Sequence, residues 1–191
     1  MKDFVHQQGR IWSSPFTHPA KTAKVGLPLA AATALLMKYD QPLVNNYVQK
    51  PHGWGQHLSY AGDFTTVLGG TALLYGVGRM TKSDTATEMG ANSFRALTHS
   101  FVLTQGLKLM THRQRPDGST HWSMPSGHAM TSFAIASAVT AHPKSPLWLR
   151  IALPAAAGAI SVARVGARKH YMSDVAIGGT LGWVLGRAVV R

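Results

Sequence analysis

An all-α fold, a six-helix bundle with its chemistry at one end and an amphipathic N-terminal arm, is what this 191-residue sequence predicts. Three observations carry that expectation. Apolar stretches of helical length recur along the chain while alternating strand patterns are scarce. The connections are short and rich in Pro, Gly and charge. Small residues cluster inside the stretches, as in Ala30 to Ala34 and Ala155 to Ala159, and let helices approach closely.

In order along the chain, residues 1–24 read as an arm in which Phe4, Val5, Ile11, Trp12 and Phe16 are interspersed with charges, suited to lie on the bundle or on a membrane surface. Residues 25–191 read as one domain, long enough for a sizeable core. Its helices are expected over 25–37, 64–78, 94–110, 128–141, 147–162 and 175–190, with loops at 50–55, 81–84 and 142–146.

Three polar clusters interrupt this apolar background: Lys108 with Arg115-Pro116, then Pro125-Ser126-Gly127-His128, then Arg164 with His170 and Asp174. They supply fixed cations for negative oxygens, one imidazole able to attack phosphorus, another able to protonate a leaving oxygen, and a carboxylate to orient the attacking ring. That inventory suits phosphoryl transfer without a metal. Lys108 and Arg115 are seven residues apart, so on one helix they would share a face, roughly 10 Å apart along the axis. Pro116 disfavours helical geometry at Arg115 and is expected to end the helix there. Ser126 reads as an N-cap, which places His128 beside a helix start whose free N–H groups attract anions. His170 and Asp174, spaced i and i+4, are expected on one helical face, the carboxylate accepting from Nδ1 and leaving Nε2 free. Arg164 would reach the same pocket if the chain bends at Gly166.

These three clusters, in this order and with these internal gaps, resemble the tripartite signature of the type 2 phosphatidic acid phosphatase superfamily. That group includes lipid phosphate and polyprenyl pyrophosphate phosphatases, bacterial acid phosphatases and vanadium haloperoxidases. The resemblance implies that His170 is the nucleophile forming a phosphohistidine and that Asp174 orients it. It implies that His128 is the general acid and later the base for water, with Lys108, Arg115, Arg164, Ser126 and the Gly127 N–H holding the phosphoryl oxygens. The planar guanidinium fork suits that task. One departure is Ala163, where the third motif usually carries Ser before the arginine.

Taken singly, each of these residues reads blandly as a solvated charge, a satisfied histidine or a turn; their joint spacing does not. His6, His18, His52, His57, His99, His112, His121 and His142 show no zinc-type spacing, although His112, His121, Trp122 and Met124 lie between the first two motifs, within reach of a substrate. No metal is implied. No cofactor is implied either: orthovanadate is expected to inhibit, and to serve as cofactor only if the chain is haloperoxidase-like.

Lys plus Arg number 19 against 7 Asp plus Glu, a formal charge of +12 that favours an anionic partner. No nucleic-acid-binding signature accompanies it, so the expected partners are a phosphorylated lipid or small phosphoester and a membrane. Cysteine is absent, which leaves the redox compartment open. No expected helix is a charge-free apolar run of the ~20 residues a span needs, and the first apolar run begins only at Val25, later than in a typical signal peptide. The reading is an enzyme embedded in or attached to a bacterial-type envelope membrane with its site facing the periplasm, hydrolysing a lipid phosphomonoester or diphosphate. The alternatives are a soluble periplasmic non-specific acid phosphatase, a vanadate-dependent haloperoxidase-like enzyme, and a catalytically idle anion-binding bundle.

Overall fold

The structure is a computed structural model that describes residue 13 and residues 19–48 and 53–190. The helices are α1 (Pro19–Tyr47), α2 (Gly53–Ser59), α3 (Phe64–Met80), α4 (Asp84–Thr111), α5 (Gly127–Ala141), α6 (Leu147–Gly166) and α7 (Met172–Ala188), with a 3₁₀ turn at Tyr60–Gly62. No strand occurs among the described residues. The all-α expectation holds, with more helix than the apolar runs alone implied. The apolar residues expected in the arm lie outside the described residues, and helix already runs through 19–24.

Local chemistry sets the boundaries. Ser83 caps α4, its hydroxyl accepting from Ala86 N at 3.3 Å, so the helix starts ten residues before the first apolar residue counted, Phe94. It stops at Thr111 because His112 turns left-handed (φ 43°). Arg115 therefore lies in a loop, and the expected shared helical face with Lys108 does not form. Ser126 is the N-cap of α5, as expected, accepting from Ala129 N at 3.5 Å.

Gly166 ends α6 rather than bending it. His170 then precedes α7, whose first turn contains Asp174, so the i, i+4 pair does not share a helix face. Asp174 caps that helix itself, its Oδ2 accepting the Tyr171 N–H at 2.8 Å. Because it continues through Arg164, α6 reaches 20 residues and becomes long and apolar enough to cross a membrane, which the shorter expected run was not.

The central helix is α5, packed on α4, α6 and α7. Its seam with α7 is made by glycines one turn apart: a Cβ on Gly182 would stand 2.2 Å from Met130 O, and one on Gly186 would stand 2.1 Å from Ala134 O. Only hydrogen fits there, and backbone contact at that distance locks the axial register of the two helices. The register is read out at the top of the seam, where Ser126 N donates to Asp174 O at 3.0 Å. The core beside it is small, with Ala96, Ala134, Ala138 and Val189 in one cluster. Elsewhere α3 pairs with α4, α2 with α6, and α1 with α7.

Candidate active site

The C-terminal ends of α4 and α6 and the N-terminal ends of α5 and α7 meet at one end of the bundle, as expected. A cavity of about 170 Å³ opens there, lined among others by Lys108, Arg115, Gly127, His128 and His170. That is several times the ~30 Å³ share of one water, room for a phosphoryl group.

The loop after α4 delivers Arg115. Its N–H donates to Thr120 O at 2.9 Å, and Ser123 N donates to Arg113 O at 2.9 Å, folding the segment back on itself. Asp117, two residues on, accepts from Lys169 Nζ at 2.6 Å and so ties this loop to the one carrying His170. Burial opposes charge on Asp117, but hydrogen bonds from Lys169 and Ser119 outweigh it and hold its pKa down at about 2. The tie therefore stays ionised at ordinary pH.

Lys108 is buried and donates through Nζ to Trp122 O. Lys108, Arg115 and Arg164 lie close enough to repel one another. Arg115 Nε and Arg164 Nε are buried with no hydrogen-bond partner among the described residues. Orphaned guanidinium donors of this kind are costly unless an anion meets them.

His170 is buried, and its Nδ1 lies 2.7 Å from Ser123 O. A carbonyl only accepts, so Nδ1 carries the proton and the Nε2 lone pair is free. Asp174 Oδ2 stands 3.8 Å from Nδ1, beyond hydrogen-bond reach. The expected Asp174–Nδ1 hydrogen bond is thus replaced by one to Ser123 O, because Asp174 is occupied elsewhere: Oδ2 accepts from Ser123 Oγ at 2.5 Å and Oδ1 from Arg113 Nη1 at 2.7 Å. Burial, with Arg164 and Lys108 acting the same way and Asp174 opposing, pushes the His170 pKa down to about 3. An ordinary imidazole protonates near 6.5, so His170 is neutral throughout the physiological range. NMR of the imidazole nitrogens is expected to show a neutral, Nδ1-protonated ring from about pH 8 to about pH 5; a midpoint near pH 6.5 would contradict the burial argument.

His128 leans on a residue that sequence reasoning passed over. Its Nε2 is 2.7 Å from Asp63 Oδ1, at the start of α3. Arg113, Asp40 and Ser123 were missed as well. Arg113 Nη2 pairs with Asp40 Oδ2 at 2.8 Å, while its other arm holds Asp174. One signal was present: only seven acidic residues stand against nineteen Lys and Arg, and four of the seven, Asp40, Asp63, Asp117 and Asp174, converge here. Of the remaining inter-motif residues, His112 and His121 stack at 5.1 Å and Trp122 is partly exposed. Ala163 is fully buried, its carbonyl 2.8 Å from where a Cβ on Gly55 would stand. His142, far from the site, pairs with Glu88 at 3.0 Å.

No curated protein matches the sequence. Two solved structures share the fold. A transmembrane PAP2-type phosphatidylglycerolphosphate phosphatase from Bacillus subtilis superposes with TM-score 0.72 at 22% identity, over 90% of this chain and 93% of that one. LpxE of Aquifex aeolicus superposes with TM-score 0.60 at 24% identity, over 76% of this chain and 89% of its own. The family model described as the PAP2 superfamily matches residues 91–191, the stretch that carries Lys108, Arg115, His128, Arg164, His170 and Asp174, and the chain belongs to that superfamily.

Proposed function

We propose that this protein is a metal-independent lipid phosphatase that hydrolyses a phosphomonoester or diphosphate through a phosphohistidine. The observation that carries this reading is a cavity lined by buried Lys108 and half-buried Arg115, with half-buried Arg164 close by, the Arg115 and Arg164 Nε atoms buried and unpartnered among the described residues, and bounded by one imidazole with a free Nε2 and by a second imidazole. In the first step the His170 Nε2 lone pair forms the N–P bond, the P–O bond to the leaving group breaks, and His128, entering the step as the imidazolium beside the Asp63 carboxylate, gives one of its two ring protons to the departing oxygen. Nδ1–H stays on the Ser123 carbonyl while positive charge grows on the ring, and the Asp174 carboxylate stabilises it. In the second step His128 takes a proton from water, the water oxygen attacks phosphorus, and the N–P bond breaks. Lys108, Arg115 and Arg164, with Ser126 and the Gly127 N–H at the start of α5, hold the phosphoryl oxygens. Asp63 fixes the orientation of the His128 ring. Among the described residues, no group of three or more His, Asp or Glu is placed to hold a metal ion.

The lipid part rests on surface chemistry. The cavity reaches Phe64 and Phe101, half-exposed rings 5.1 Å apart that offer an apolar wall beside the phosphoryl pocket. Around the bundle the usual distribution is inverted. Leu73, Met80, Leu109, Leu147, Trp148 and Ile151 face outward, while Asp40, Lys108, His170 and Asp174 are inside. A lipid surround removes the cost of that exterior, and α6 is long enough to span it. The resemblance of the fold to a phosphatidylglycerolphosphate phosphatase supports the same substrate class.

The test is a side-by-side assay of dioctanoyl phosphatidate, farnesyl pyrophosphate and p-nitrophenyl phosphate in detergent with excess EDTA. Turnover of one of the two lipids well above the aryl ester, inhibited competitively by orthovanadate, is expected. Strict dependence on added divalent ions would overturn the mechanism, and preference for the aryl ester would overturn the lipid assignment.

A further inference from the structure

Behind Asp174 lies a second carboxylate that the chemistry above does not use. Asp40, near the end of α1, has no exposed side-chain surface. It stands outside the stretch matched by the family model. Its Oδ1 accepts from Ser173 N at 3.1 Å, and its Oδ2 accepts from Arg113 Nη2 at 2.8 Å and from Ser173 Oγ. The other arm of the same guanidinium donates to Asp174 Oδ1 at 2.7 Å and to Ser173 Oγ at 2.6 Å. Arg113 Cζ lies over the Tyr171 ring, 4.2 Å from its centroid, and Gln41 donates to the Tyr171 hydroxyl at 2.8 Å. One cation thus serves two buried anions, with the fork held from both ends and from one face.

This division has an electrical consequence. Had Asp174 sole possession of Arg113, the pair would be nearly neutral as seen from His170, and only a weak field would stabilise the positive charge that grows on the ring during phosphoryl transfer. With Asp40 taking half of the guanidinium, the trio Asp40–Arg113–Asp174 keeps a net charge of −1, with its Asp174 end 3.8 Å from His170 Nδ1. Inside a protein such a charge acts with far less screening than at the surface. We propose that Asp40 is a positioning residue for catalysis: by sharing Arg113 it leaves Asp174 negative enough to stabilise the phosphorylated imidazole, making α1 a working part of the site. The proposal rests on the assignment of His170 as nucleophile.

Asp40→Asn keeps the shape and one acceptor oxygen, enough for the Ser173 N–H, but removes the charge and turns an N–H₂ toward the donors of Arg113 and Ser173 Oγ. In full-length protein assayed on dioctanoyl phosphatidate, or on farnesyl pyrophosphate if that is the faster substrate, kcat is expected to fall about tenfold or more with KM changed less than about twofold. Phosphohistidine formation in rapid quench should slow in parallel. Asp40→Glu, which restores the charge, is expected to recover most of kcat even if its melting temperature is no better than that of the asparagine variant. A purely structural strut predicts otherwise: activity would follow the amount of folded protein, and the glutamate would rescue no better than the asparagine. That result, or an unchanged kcat in Asp40→Asn, would overturn the proposal. If the asparagine variant does not fold, Asp40→Glu decides alone: folded protein with kcat within about threefold of the parent supports the role, and folded protein with kcat down by tenfold or more refutes it. His170→Ala, run in parallel, separates the two readings. Full activity there removes the nucleophile assignment, whereas a silent Asp40 with an inactive His170→Ala removes only the role of Asp40.

Discussion

Replacing His170 with alanine is expected to lower turnover by about 10⁴-fold or more, because the variant has no atom to accept the phosphoryl group and the reaction loses its covalent route. The fold should survive with reduced stability. The Ser123 carbonyl that accepts from Nδ1 would be left buried without a donor, a loss of about 1–3 kcal/mol. His170→Asn separates the two effects, since an amide N–H₂ can reach toward that carbonyl while offering phosphorus no nucleophile. It should be as inactive as the alanine variant and melt at a higher temperature. Phosphate release on dioctanoyl phosphatidate, with a thermal melt of each variant, checks both statements. Retention of more than about a tenth of parental activity in either would sink the phosphohistidine route.

The second large effect is at His128. Its removal should slow the phosphorylating step by about 10²- to 10⁴-fold for an alcohol or phosphate leaving group, which departs poorly without a proton. For p-nitrophenyl phosphate, whose leaving oxygen needs no proton, the same step should slow by less than about tenfold. The second half-reaction, in which His128 takes the proton from water, should slow for both substrates alike, so phosphohistidine should accumulate in the variant. Rapid-quench measurement of the labelled enzyme distinguishes these steps. Equal losses in the first step for both leaving groups would remove the general-acid role and leave His128 as a contact for phosphoryl oxygen or for Asp63, 2.7 Å away.

Much of this architecture was legible in the chain because its signals are local. Apolar runs separated by Pro, Gly and charge marked the helices, and Ser126 before Gly127 marked the start of α5. The limits of α4 were misplaced at both ends. Its first turns, Asp84 to Ser93, carry too few apolar residues to register as a run, and its stop depends on a left-handed His112 rather than on Pro116. Short α2 was missed, its first three residues falling in the loop expected over 50–55, because seven residues with two Gly and only Trp54 and Leu58 apolar show no run to detect.

The site divides along the same line. Lys108, Arg115, Ser126, His128, Arg164, His170 and Asp174 were singled out because their spacing along the chain is itself the signal, and the structure brings Lys108, Arg115, Gly127, His128 and His170 to one cavity. Their partners were not found, because each acts across a long gap. Asp63 meets His128 across 65 residues, Arg113 meets Asp40 across 73, and Ser173 meets Asp40 across 133. Even the neighbour expected for His170 was wrong in detail. The i, i+4 spacing brought Asp174 close, but helix α7 begins too late to align the pair, and the Ser123 carbonyl, 47 residues away, takes the Nδ1 proton.

The sequence by itself determined the helical class, the cationic character and the spacing of the residues proposed to react, since hydrophobic period, charge and side-chain chemistry belong to residues and short spacings. Only the tertiary structure decided which imidazole nitrogen is free, how Arg113 is divided between two acids, and which carboxylate steadies His128. Those outcomes depend on distances of a few ångströms between remote segments, set by the glycine seam that locks α7 against α5 and by the docking of α1 on α7, and Coulomb and hydrogen-bond energies are decided at that range.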